Sequence, residues 1–310
     1  MNTESNAMPE SHADAQVLTA STSAPQPLYW SIRRELWENR SIYIAPLAVA
    51  GIVLVGFLIG TVHLPERMRT ALTLQPMQRL AVIEQPYHMA ALMIMGFEFL
   101  VALFYCLDAL HGERRDRSIL FWKSLPVSDL TAVMSKASIP LLVLPLVAFV
   151  ITVATQWIML LISTAILLAH GVSVAPLWSE MPWLQLSVML LYHLVAMHGF
   201  WYAPIYGWLL MVSGWARRAV FLWAALPLIA IGVIEKIAFN TSHFGALLRT
   251  RILGGPGASD LTASGGVMMH PLTLARLGEF LVSPGLWVGL AITAAFLAAA
   301  VQLRRYQGPI

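Results

Sequence analysis

The residues able to do chemistry in this chain are few and set far apart. Glu98 sits inside the apolar run GFEFLVALF. On membrane-insertion scales an ionised carboxylate there costs at least a few kcal/mol, so Glu98 must face other protein, carry a proton or find a partner. It reads either as a substrate-path or relay group, or as a protonated glutamate bonded to a neighbouring helix. A second group lies between 192 and 208, where Tyr192, Phe200, Trp201, Tyr202, Tyr206 and Trp208 surround His193, His198 and Pro204. Aromatic rings with polar tips suit a cavity for an amphipathic organic molecule, which makes Tyr202 and Tyr206 candidates for a substrate path with Glu98. Bundle packing and an interfacial aromatic belt account for the same composition. His193 and His198 are five apart, about 140° around a helix, and do not form an i, i+4 ligand pair.

Several chemistries are excluded outright. A single cysteine, Cys106, rules out an intramolecular disulfide and any CxxC site. The three lysines follow Trp122, Ser135 and Glu235, so no GxxxxGK[ST] phosphate loop exists. No histidine is followed by glutamate, which removes HExxH. The fifteen methionines and the Met-Met-His run at 268–270 suit apolar filling better than a copper route. No metal and no cofactor is assigned to the chain itself.

Composition names the solvent. Of 310 residues 58% are hydrophobic and 11% charged, where a soluble domain carries about a quarter charged. A mean hydropathy of +0.71 agrees and excludes a nucleic-acid binder, a disordered scaffold and an ordinary cytosolic enzyme. Residues 1–26 are polar, without Lys or Arg, and read as a disordered tail rather than a signal peptide. Residues 27–42 carry Leu28, Ile32 and Leu36 on one helical face, with Tyr29, Trp30 and Trp37, and read as an amphipathic interfacial helix. The remaining region, 43–310, holds six apolar segments, about 43–62, 88–107, 137–169, 185–212, 219–239 and 286–303. The third contains Pro140 and Pro145, which predict a kink. The fifth carries Pro227 and has the shortest clearly apolar core. In the first, Gly56 and Gly60 have the GxxxG spacing that permits close helix approach.

Twelve of the nineteen Lys and Arg residues fall in the segments that share a side with the amino terminus, and seven on the other side. That asymmetry predicts both termini in the cytoplasm. The exterior connection, 235–284, divides into a Gly-rich section and the apolar stretch Pro271 to Val282, too short to span and read as an interfacial or re-entrant helix. The expected fold is all-α and polytopic, with six transmembrane helices, an N-terminal interfacial helix and short exterior helices between spans five and six.

The cytoplasmic loop 108–136 is the most informative stretch. Gly112, Glu113, Arg114, Arg115, Asp116 and Arg117 precede an apolar turn, Ile119, Leu120, Phe121 and Trp122. Pro126 stops that turn, and Ser128 or Asp129 caps the helix leading into span three. An exposed amphipathic element of this kind needs cover, from a protein partner or from the inner leaflet through snorkelling arginines. The paired Arg217 and Arg218 of the second loop suit anchorage at anionic lipid.

The run GERRDRSILFWKSLPVS resembles the stretch after the second transmembrane helix of ABC-2 type transporter permeases, and the six-span layout is similar to theirs. The resemblance implies a permease subunit of an ATP-driven exporter in a bacterial inner membrane. Residues 112–117 and 119–122 would form the coupling element that docks on a separate ABC ATPase subunit, present in two copies. ATP and Mg would be bound by that partner, and a second permease copy or paralogue would complete the assembly. Membrane lipids are expected partners and nucleic acid is not. The competing readings are a membrane-embedded lipid-modifying enzyme, using Glu98, Asp108 or a histidine as base, and an ion-coupled carrier.

Overall fold

The computed structural model describes residues 27–124, 127–253, 278 and 280–310. Every regular element among them is helical, and six helices are long and apolar enough to cross a membrane. The expected tail, the Gly-rich section, the Met-Met-His run and most of the stretch Pro271 to Val282 lie outside the described residues.

Helix α1 (Pro27–Glu38) leads through a short turn into α2 (Ser41–Gly60), which continues by a 3-10 turn, Thr61–His63, into α3 (Leu64–Leu72). Helix α4 (Pro76–Ala109) starts twelve residues before its apolar run does. The amphipathic first turns are held by α3, whose Met68 and Ala71 are buried, and by Tyr87 against Trp183. The short helices α5 (His111–Arg115) and α6 (Ser118–Ser124) precede α7 (Asp129–Ser138). Ser128 caps α7, its Oγ accepting from the Thr131 amide at 3.1 Å.

Span three is irregular where its prolines predict a kink. Pro140 and Pro145 remove two amide donors, and residues Ile139–Val143 widen into a π-helical turn before α8 (Leu144–Ala169). Span four differs more from expectation. It runs as α9 (Trp183–His193), a π-helical stretch Leu194–Trp201, a break at Tyr202, and α10 (Ala203–Trp215). The two π segments pack together at Gly199, where a Cβ would lie 3.0 Å from the Leu141 carbonyl oxygen. Helix α11 (Val220–Phe239) runs unbroken through Pro227 and buries only Val220 and Ala224; Trp208 Nε1 donates to the Ala224 carbonyl at 3.1 Å. After α12 (His243–Leu253), α13 (Pro284–Tyr306) returns along α10, the most extensive helix pairing among the described residues.

Three packed layers follow one another along the bundle. One end is built around Cys106, Ile139 and Tyr206, the middle around Ile94, Ala148 and Leu194, and the other end around Met68, Tyr87 and Leu160. In lipid such contacts are driven by close packing rather than by exclusion of water. The first layer lies beside α1, α5, Ala216 and the carboxyl-terminal residues, so both ends of the described chain share one face of the bundle. Reporter fusions after Asp116 and Arg305 are therefore expected in the same compartment and one at Asn240 in the opposite one. Opposite compartments for the first two would refute the six-span path.

Candidate functional site

The loop after span two is built on a buried charge network. Glu113 leaves α5 pointing inward, where Oε1 lies 3.1 Å from Arg34 Nη2 and 3.2 Å from Lys136 Nζ, and Oε2 accepts from Arg304 Nη1. Glu35, 0% exposed, accepts from Lys136 Nζ and Arg34 Nη2, each at 2.8 Å, and from the Tyr105 hydroxyl at 2.9 Å. Arg304 Nε is 3.1 Å from Asp129 Oδ1. Three cations thus face three carboxylates and tie α1, α4, α5, α7 and α13 into one unit. At its rim Glu38 pairs with Arg34 at 3.5 Å, yet burial raises its carboxyl above the usual range. A buried ionic cluster adds little net stability against an apolar replacement, but removing one member leaves an uncompensated charge at about 3–5 kcal/mol.

Arg114 faces the other way and is also buried. Its Nη1 donates to the carbonyls of Gly214 (2.6 Å) and Ala216 (3.3 Å), and its Nε to Gly308 (3.3 Å). Ser213 Oγ accepts the amides of Leu110 and His111 at the start of α5. The second loop and the carboxyl tail are thereby stitched to the first.

This differs from the sequence expectation that the whole run Glu113 to Arg117 forms an exposed rim. Glu113 and Arg114 brace the interior. The exposed charges are Arg115, which reaches Asp116 (3.0 Å) and Asp108 (3.6 Å), together with Asp116 and Arg117. Gly112 packs beside Asp108, where a Cβ would come within 3.1 Å of Oδ2. Arg117 takes φ 59°, a left-handed conformation that turns the chain out of α5 at a cost of about 1–2 kcal/mol. Helix α6 then divides cleanly. Ile119 is buried, Trp122 lies under the Arg34 guanidinium at 3.7 Å, and Leu120 (58% exposed) and Phe121 (60%) point away from the bundle. Arg217 and Arg218 are exposed at the same end. The sequence reading missed Glu35, Tyr105 and Arg304. Glu35, one of two acidic residues in the amphipathic, aromatic α1 with Glu38, and on the same face as Ile32, was the available signal.

The intramembrane candidates also meet. Glu98 is 0% exposed, and its Oε2 is 2.9 Å from His198 Nδ1, close enough for an ion pair but outside hydrogen-bond alignment. The Tyr202 ring is 5.3 Å from His198 and 4.7 Å from Phe99, which also approaches Tyr206 at 6.3 Å. His198 belongs to the π-helical stretch, so the partner that the sequence demanded for Glu98 comes from the irregular part of span four. The Tyr206 hydroxyl is buried without a hydrogen-bond partner, as are both Glu98 oxygens. Among the described residues no three potential metal ligands cluster, and His193 adds only a ring contact to His198 at 6.4 Å.

Glu98→Gln keeps the shape and removes the ionisable carboxyl. It is expected to leave expression and monodispersity unchanged, with a stability shift of about 1 kcal/mol. A loss of folded protein like that caused by a cavity would show that the Glu98 carboxyl beside His198 is required for assembly.

Compared with models of known families, with curated proteins and with solved structures, the chain matches none.

Proposed function

We propose that this chain is the transmembrane permease subunit of an ATP-driven ABC-2 type exporter. In this reading it docks an ABC ATPase through α6 and works beside a second permease copy or paralogue. The observation that carries the reading is the division of α6: Ile119 and Trp122 anchor it to a braced charge network, while Leu120 and Phe121 face outward with no cover among the described residues. A lipid-resting helix has no need of so rigid a mount, whereas a lever does.

The path of force follows from the geometry. Helix α5 continues α4 after one irregular residue, and Glu113 lies fifteen residues beyond Glu98, about 22 Å along a helix. Displacement of α6 would move α4 with its network partners as one body. The yielding element would be the π-helical contact at Gly199, beside Glu98 and His198. π segments often mark functional sites, and two alternative packings of such a contact would suit alternating access. Glu98, Tyr202 and Tyr206 would line the path when it opens. ATP and Mg would be held by the partner, and this chain would carry out no covalent step.

The buried Glu98–His198 pair favours one rival, a proton-coupled carrier. Co-expression with candidate ABC-type P-loop ATPases separates the two. A stable complex whose ATP hydrolysis rises with this chain present is expected. Transport by the chain alone, driven by a proton gradient and indifferent to ATP, would overturn the permease reading.

A further inference from the structure

A cleft of about 790 Å³ opens at the end of the bundle opposite α6, between the last turn of α2, α3 and the first turns of α4, and reaches back to Ser163 on α8. Pockets that enclose organic molecules commonly measure roughly 300–1,000 Å³. Val82 and Met89 both line it and stand seven residues apart, so it extends about 10 Å along the span. Its polarity is graded. His63, Glu66 and Arg67 lie at the outer end on the turn and α3, while Gly56, Phe57 and Met89 line the part inside the apolar spans.

Gly56 and Gly60 do not serve the close helix approach that their spacing suggests, because a Cβ at either meets nothing within 4 Å. They keep the cleft open. Glu66 and Arg67 are exposed, and neither side chain makes an ion pair or hydrogen bond within the described residues, so the rim offers one free anion beside one free cation.

We infer that this cleft is a binding site for a zwitterionic glycerophospholipid of the phosphatidylethanolamine type. Its phosphate would sit at Arg67, its ammonium at Glu66 and an acyl chain along Gly60 and Gly56. Hydrocarbon-facing walls below a paired-charge rim match a molecule with an apolar tail and both signs in its headgroup, and the site lies where the leaflet supplies such molecules. Phosphatidylglycerol shares the phosphate and the tail but lacks the cation, so Glu66 should discriminate between them. The site is independent of any docked ATPase.

The test is lipid titration of purified, delipidated full-length protein, read by native mass spectrometry with phosphatidylethanolamine and phosphatidylglycerol as probes. Gly60→Phe fills the cleft, and Gly51→Phe adds the same ring at an open position on the same helix outside it. Gly60→Phe is expected to weaken phosphatidylethanolamine at least tenfold, since each methylene expelled costs about fourfold, while Gly51→Phe binds as wild type does. Arg67→Gln should weaken both lipids about fivefold, and Glu66→Gln phosphatidylethanolamine alone. Equal binding by Gly60→Phe and Gly51→Phe, or equal effects of Glu66→Gln on the two lipids, would overturn the assignment.

Discussion

Glu113→Lys is expected to cost about 3–5 kcal/mol and to leave little folded protein. Glu113 is the carboxylate that Arg34, Lys136 and Arg304 share. Reversal turns a balanced set of three cations and three carboxylates into four against two, in a space with almost no access to water, where an unmatched charge is far more costly than at the surface. Glu113→Gln should cost less, because the amide oxygen still accepts from one cation. The control lies two residues on. Arg115→Glu alters a side chain more than half exposed, between Asp108 and Asp116, and should change stability by less than about 1 kcal/mol. Thermal unfolding of the purified variants in one detergent measures all three. Similar stability for Glu113→Lys and Arg115→Glu would show that the network does not hold α5.

The second large effect is on partner binding and leaves the fold intact. Leu120→Glu combined with Phe121→Glu alters only outward-facing side chains of α6, with Ile119 and Trp122 still seated. If an ATPase buries that turn, two apolar anchors are lost and two carboxylates are desolvated. At about 2 kcal/mol for each anchor, affinity should fall roughly a thousandfold with unfolding unchanged. Pull-down of the ATPase by wild type and by the double variant reads this directly. Undiminished capture would place the ATPase contact elsewhere on the chain.

Much of this architecture could be read in the residues, and the remainder turns on long-range geometry. Six spans follow from apolar length, and the irregular turn of span three from missing amide donors. Span four was readable in extent but not in form. Nothing local in LVAMHGFW announces a π-helix, which depends on the close approach of Gly199 to the Leu141 carbonyl. Glu98 was identifiable because a carboxylate in hydrocarbon demands an explanation, but its partner His198 was five residues from the other histidine and one hundred from Glu98. In the loop, residue type separates charged from apolar but not inward from outward. Glu113 and Arg115 look alike in the sequence, and only the cations on α1, α7 and α13 determine that Glu113 turns in.

The central claim is that Phe121 sits under an ATPase, and one measurement reaches it most directly. Cys106, the single native cysteine, is fully buried within span two, so it is shielded from aqueous thiol reagents. Phe121→Cys therefore creates a single addressable thiol on the outward face of α6. Its rate of maleimide labelling, followed with and without a co-expressed ABC ATPase, should fall at least tenfold when the ATPase is bound. A labelling rate unaffected by saturating ATPase would contradict the claim.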